Sequence, residues 1–408
     1  MTVASTSPFI ERRTAIAVAG LGVTQIVGWG TTYAMPAVLG RFIAADLGLA
    51  TEVVFGGVTV MFAVSALTAP AIGRRVDRLG ARGTMAVGSL IASAALALLS
   101  QCTGIATYIA AWIVIGLATS LMLQTAPMVA LAQIAGSGAR RAFALLSILG
   151  GLASTTFWPL GGALEVIYGW RGVLLIFAGL HVVLCLPIHL LVLPASAQAT
   201  PRAAGAAASG VGTPYALPER HRTLIFALLA ATFSISTLVY FGVGLQMIEI
   251  LRGLGHPTAV AVLLASLTGP AQVSTRAVEV VFGNRYSAMD SALVSSLALP
   301  VGLAIALFAG GAFEAALLAV LLYGIANGLK TVVRAALPLA LYGHAGYGAV
   351  MGRLAVPQNI VAAIAPVVFA ALVARASVEV ALWTAVIGAI LSLAALLALR
   401  RLVGSGRV

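Results

Sequence analysis

The chain has 408 residues, 61% of them hydrophobic and only 8% charged, against about 25% charged in an ordinary soluble domain. A water-soluble fold cannot hide that much apolar surface, so the composition excludes a soluble enzyme or a nucleic-acid-binding domain and makes lipid the solvent. The net charge of +12 is read through its placement rather than its sum, and the two cysteines, Cys102 and Cys185, supply neither a disulfide framework nor a Cys-x-x-Cys metal motif.

A helix crossing a hydrocarbon core of about 30 Å needs about 20 apolar residues. Twelve runs meet that length, at 14–38, 53–73, 83–100, 105–134, 142–166 and 172–193, then at 223–249, 258–281, 287–310, 314–341, 348–373 and 380–399. Glu11, Arg12 and Arg13 precede the first run with no small-residue cleavage site behind it, so it is expected as a retained span. The expected class is an all-α membrane protein of twelve transmembrane helices in two pseudo-symmetric six-helix bundles, 1–193 and 223–408. Between them, residues 194–222 are rich in Ala, Gly, Ser and Pro and read as a flexible cytoplasmic linker.

Basic residues fix the expected orientation. Arg12 and Arg13, the cluster from Arg74 to Arg82, Arg140 and Arg141, Arg202, Arg220, Arg222, Arg285 and the tail from Arg400 to Arg407 fall on one side. The opposite loops hold only Arg41, Arg171, Arg252 and Arg375. The positive-inside rule then puts both termini in the cytoplasm of a cell with a cytoplasmic (inner) membrane. An internal repeat agrees with two halves: Leu67–Ala71 reads LTAPA in the second span and Leu267–Ala271 reads LTGPA in the eighth. Tyr33 and Tyr240 likewise sit late in the first and seventh spans.

The loop between the second and third spans, Gly73 to Gly83, reads GRRVDRLGARG. Its pattern, G-x-x-x-D-R-x-G-x-R, resembles the signature that the major facilitator superfamily carries at this place. The resemblance implies two six-helix bundles that rock about a central site, binding a small solute and, in some members, a coupling proton or counter-substrate. It also implies that Gly73, Asp77, Arg78, Gly80 and Arg82 gate the cycle, with Asp77 meeting the positive end of a helix. The fifth span carries Trp158, Pro159, Leu160, Gly161 and Gly162, followed by Gly169, Trp170 and Arg171, which is similar in part to a glycine–proline signature of the superfamily's antiporters. No cofactor and no resident metal are implied, and the expected working unit is a monomer in the bilayer.

In that fold the first, fourth, seventh and tenth spans line the cavity. Gln25, Trp29 and Tyr33 recur every four residues and share one face of the first span. Gln124 lies in the fourth and Tyr240 in the seventh. The second half adds charge: Asn327, Lys330 and Arg334 at i, i+3 and i+7 of the tenth span, Arg276 in the eighth and Arg353 in the eleventh. A cation inside a span costs about 2.5–3.5 kcal/mol on insertion scales, so such a set calls for an anionic ligand. No carboxylate falls near the middle of a span, which argues against a central acid for binding cations. The expected cargo is therefore a small organic anion such as a monocarboxylate, and the arginines of the eighth and eleventh spans faintly resemble the superfamily's monocarboxylate and oxalate porters.

Two other cargoes remain open, amphipathic drug-like compounds moved outward and transition metals. For the latter, His181, Cys185 and His189 follow at i, i+4 and i+8 in the sixth span. An enzyme is not expected, because the histidines are scattered and no catalytic set gathers at one depth.

Overall fold

The computed structural model describes residues 11–194, 221–283, 285–308 and 311–404. Of the expected linker over 194–222, residues 195–220 lie outside the described residues. The described residues form helices and no strand. In lipid every backbone N–H and C=O must find a partner within the protein, and a helix does this within one segment.

The first half comprises α1 (Arg12–Thr31), α2 (Pro36–Leu47), α3 (Thr51–Leu79), α4 (Ala81–Ser100), α5 (Ile105–Met122), α6 (Thr125–Ala135), α7 (Ala139–Gly151), α8 (Ala153–Leu180) and α9 (Leu186–Val192). The second comprises α10 (Arg222–Gly253), α11 (Thr258–Ser266), α12 (Thr268–Phe282), α13 (Ala288–Phe308), α14 (Phe313–Tyr342), α15 (Tyr347–Arg375) and α16 (Val378–Gly404). Eleven stretches are long and apolar enough to span a membrane, one of them the 54 residues Ala139–Val192. That stretch turns at Gly169, whose φ of 64° and ψ of 167° suit a residue without Cβ. It therefore contains two crossings, the expected fifth and sixth, and the total is twelve.

Four spans are broken where the sequence reads as continuous. The first stops at Thr31 and resumes at Pro36, the fourth stops at Met122 and resumes at Thr125, the fifth divides at Leu152 and the eighth at Leu267. Pro36 opens α2 and Pro127 lies in the first turn of α6, positions where a missing N–H costs nothing because no carbonyl precedes to receive it. A further irregularity, a π-helical turn at His181–Cys185, joins α8 to α9.

The chain forms two compact units: one draws on Met1–Gly212 with His344–Gly352, the other on Thr213–Gly343 with Arg353–Val408. Within the first, α5 packs on α3 and α4, and α1 packs on α7 and α8. Within the second, α14 packs on α12 and α13, and α16 packs on α10 and α13. The pairing of second with fourth span and third with fourth thus recurs as eighth with tenth and ninth with tenth. The LTAPA/LTGPA repeat in the sequence has a counterpart in the packing.

Arg171 ties the loop ends of the first unit. Its guanidinium donates to the carbonyls of Ser100 at 2.6 Å and Cys102 at 2.9 Å and pairs with Asp46 at 2.8 Å. The ion pair is half-exposed and contributes little by itself, whereas the carbonyl bonds close acceptors left open at the end of α4. Arg171→Ala is expected to lower stability by about 2 kcal/mol. Arg171→Lys, which lacks the fork, should recover less than half of it, as read by denaturation in lipid nanodiscs.

Candidate functional site

The polar residues of the first unit converge on the breaks in the first and fourth spans. Gln25, only 4% exposed, donates from Nε2 to the carbonyl of Met122 at 3.3 Å, at the end of α5. Its Oε1 accepts from Trp29 Nε1 at 2.9 Å. Trp29 meets Tyr33 edge to face with ring centres 6.0 Å apart, and Tyr33 meets Phe62 of α3 at 6.1 Å. Tyr33 itself lies in the gap between α1 and α2 and is exposed. Gln124, half-buried, occupies the N-cap of α6 with φ −98° and ψ −78°. Trp158, from the fifth span, donates to the carbonyl of Ala34 at 3.2 Å, adding an indole donor to the Ala37 N–H that this carbonyl also accepts at 3.3 Å. Gln25, Trp29 and Tyr33 are connected, but only Gln25 and Trp29 share a face of α1, because the helix ends at Thr31 before Tyr33. Sequence reading missed that the set sits beside two interruptions, although Pro36 and Pro127 mark both.

The second unit supplies the charge. Lys330, on α14, donates from Nζ to Thr237 Oγ1 at 2.9 Å and stands 4.7 Å from the centre of the Tyr240 ring. Tyr240 and Tyr323 exchange bonds across α10 and α14: Tyr323 OH donates to the Tyr240 carbonyl at 2.6 Å, and Tyr240 OH to the Tyr323 carbonyl at 3.3 Å. Their rings lie 4.9 Å apart. Arg276, 7% exposed, donates from Nε to Thr331 Oγ1 at 3.1 Å and from an Nη to Gln272 Oε1 at 3.2 Å. Glu279, fully buried one turn further on, accepts from Ser291 Oγ at 2.6 Å. Asn327 is half-buried one turn before Lys330. Arg353 is exposed, six residues into α15. Lys330, Tyr240 and Arg276 are thus held by side chains of their own unit. Thr237 and Tyr323, which orient Lys330 and Tyr240, left no signal in the sequence beyond their polarity.

The stretch expected as a loop, Gly73 to Gly83, is helical except at Gly80, because α3 runs on to Leu79 and α4 starts at Ala81, and its Asp77 forms a helix cap. Asp77, in the last turns of α3, accepts from the backbone N–H groups of Gly348 at 2.8 Å and Ala349 at 2.7 Å, in the first turn of α15. A carboxylate there satisfies two donors that a helix N-terminus leaves open and sits where the helix dipole favours negative charge. Gly73 makes the approach possible, because a Cβ there would run into the Gly348 carbonyl. Gly80 ends α3 at φ 82°, Arg78 is exposed and Arg82 is half-buried at the start of α4.

The histidines of the sixth span act as bridges between helices. His181 shares a hydrogen bond of 2.9 Å with Thr31 of α1, and His189 one of 2.9 Å with Ser89 of α4. Among the described residues no group of three His, Cys, Asp or Glu side chains comes together to hold a metal.

Twelve spans with an internal repeat, interrupted helices and polar or basic side chains gathered inside each unit define a multi-pass membrane transporter of small solutes. The family model of the Major Facilitator Superfamily matches residues 21–288, and the chain belongs to that superfamily. Among solved structures the fold is similar to the human organic anion transporter MFSD10 (TETRAN), with a TM-score of 0.71 at 17% identity over 96% of this chain and 100% of that one. It is similar also to FucP in its outward conformation, with a TM-score of 0.69 at 12% identity over 95% and 99%. The proton:xylose symporter XylE bound to 6-bromo-6-deoxy-D-glucose gives 0.69 at 13% identity over 94% of each chain. No curated protein matches the sequence.

Removing the cap tests this stretch directly. In Asp77→Asn the amide oxygen accepts from one of the two N–H groups and the other loses its partner, at a cost of about 1 kcal/mol. Amide hydrogen exchange at Gly348 and Ala349 is expected to quicken at least fivefold. Gly73→Ala should do the same by forcing the helices apart, whereas Arg78→Ala should leave both amides as protected as before.

Proposed function

We propose that the protein carries a small organic anion, such as a monocarboxylate, across a cytoplasmic membrane by alternating access, with both termini inside and the monomer as working unit. The observation that carries this reading is Lys330. Its ammonium is held inside a span by a hydroxyl and an aromatic face, neither of which bears a formal charge. A cation so placed attracts an anion and repels amphipathic cations. Arg276 supports it from α12, while Gln25, Trp29, Tyr33 and Gln124 of the first unit supply neutral hydrogen-bonding groups. Asn327, Tyr240 and Arg353 complete the candidate set.

The structural relatives agree with this reading without requiring it, since MFSD10 is described as an organic anion transporter while XylE moves a sugar with a proton. Gly73, Asp77, Arg78, Gly80 and Arg82 are proposed as the gate: the Asp77 cap holds the first turn of α15 in one state and its loss frees that turn. A transition-metal cargo finds no support in the paired, separately engaged histidines of the sixth span.

The test is a thermal-shift screen of the purified carrier against lactate, oxalate and benzoate, with amphipathic cations and divalent metals alongside. A ligand that binds only the native state must raise its melting temperature. An organic anion is expected to do so, and Lys330→Ala to weaken its binding at least tenfold. Arg353→Ala, at an exposed position, should weaken it less. Stabilisation by cations alone, or unchanged anion affinity in both variants, rejects the anion reading.

A further inference from the structure

Beside Lys330 the second unit encloses a small polar cavity between α10, α13, α14 and α16. Its walls include Thr232, Ser236, Ser295, Ser296, Ser392 and Lys330 itself. Four of the hydroxyls have spent their single proton on backbone carbonyls. Thr232 donates to Leu228 O at 2.8 Å, Ser236 to Phe233 O at 3.1 Å, Ser295 to Ala326 O at 2.8 Å and Ser392 to Thr232 O at 2.9 Å. Such oxygens have only lone pairs left to offer. Among apolar neighbours such as Phe233, Leu299 and Val333, these oxygens offer the cavity a row of acceptors, suited to water or an ammonium and unsuited to an anion. It has room for a water molecule and more than the two to four polar partners a buried water needs.

The residue type at this place is as telling as the cavity. The sequence has 23 Lys and Arg together, and only Lys330 is lysine; every other basic side chain is arginine. A guanidinium keeps its charge throughout the pH range of proteins, whereas a desolvated amine can give up its proton. The chain thus places its only lysine where hydroxyl acceptors and a cavity with room for a water molecule adjoin it.

We infer that this cavity is a water-filled bay through which Lys330 loses and regains a proton during the transport cycle, so that Lys330 is the proton-coupling group. In the step, the ammonium gives one proton to bay water, leaving a neutral amine and a hydronium ion that the hydroxyl oxygens hold; reprotonation reverses it. The surroundings favour reversibility in both directions. Tyr240 presents its ring face to the ammonium, stabilising the charged form, while Arg334 one turn along α14 repels it. From α12 come Arg276 and Glu279, the latter bonded to Ser291. Asp290 at the start of α13 is occupied by Ser287, and Tyr323 is bonded to Tyr240. The cavity-lining parts of α13 and α16 carry no titratable group, and α11 carries none at all. On the anion reading above, a monoanion that binds the ammonium and leaves as the proton leaves moves with one proton and no net charge.

The sole lysine makes the test direct. Protein grown on lysine labelled with carbon-13 at Cε and placed in lipid nanodiscs reports one side-chain amine, apart from any ligand. The expected result is a resonance that passes from the ammonium to the amine position as the pH is raised. Ser295→Val with Ser392→Val, which removes two of the acceptors, is expected to displace that passage. A resonance that keeps either position throughout overturns the inference.

A second arm uses proteoliposomes and whichever of lactate, oxalate or benzoate stabilises the protein. Lys330→Arg should lower uptake driven by a pH gradient at least tenfold relative to anion-for-anion exchange, and an unchanged ratio overturns the coupling role. If none of the three anions binds while the amine titrates, the anion reading fails and the proton site stands.

Discussion

Inside a hydrocarbon layer an unpartnered backbone group costs several kcal/mol, because no water is present to take the place of a missing hydrogen bond. Continuous helices meet that constraint without help. At several departures from a continuous helix a side chain bonds the backbone near the interruption. Trp158 reaches the carbonyl of Ala34 at the break in the first span, and Gln25 reaches the carbonyl of Met122 at the break in the fourth. The hydroxyls of Thr31 and Thr32 turn back to Gly28 O. Asp77 does the same for the first turn of α15. The residues that look most like ligand contacts in the first unit are thus also the ones that make its irregular backbone tolerable.

The two units solve the problem of polarity differently. The first uses amides, indoles and imidazoles in neutral pairs, and its histidines bridge helices through hydroxyls. The second embeds charge and surrounds it with oxygen acceptors. Arg276 is bound by Thr331 and Gln272, a fork matched to two partners. Lys330 donates to the Thr237 hydroxyl and faces the Tyr240 ring, an arrangement that uses one of the three ammonium donors in a hydrogen bond. A fixed arginine and a lysine within one bundle supply the static positive field and the changeable charge that the proposed proton-coupled anion transport requires.

The packing shows why the two halves can share a plan while differing in chemistry. In each, the fourth or tenth span is clasped between its two predecessors, a contact set by small residues and by apolar shape. Lys330, on the tenth span, lines a cavity of the second unit, whereas Gln124, in the fourth, sits at the N-cap of α6, so related spans carry different chemistry.

Composition and the spacing of apolar runs determined the class of protein, the number of spans and the place of the repeat, because the need to bury twenty apolar residues per crossing is a local property of the chain. The stretch from Gly73 to Gly83 was legible for the same reason: its glycines and carboxylate are contiguous. The shared face of Gln25 and Trp29 followed from helical periodicity alone, whereas Tyr33 lies past the end of α1. The breaks at Thr31–Pro36 and Met122–Thr125 were half legible, since proline permits an interruption but does not demand one; Trp158 and Gln25 decide it from other spans. The surroundings of Lys330 were not legible at all. Thr237, Tyr240 and the serines of α13 and α16 come from three helices far apart in sequence, and only their packing gathers ordinary hydroxyls beside one amine.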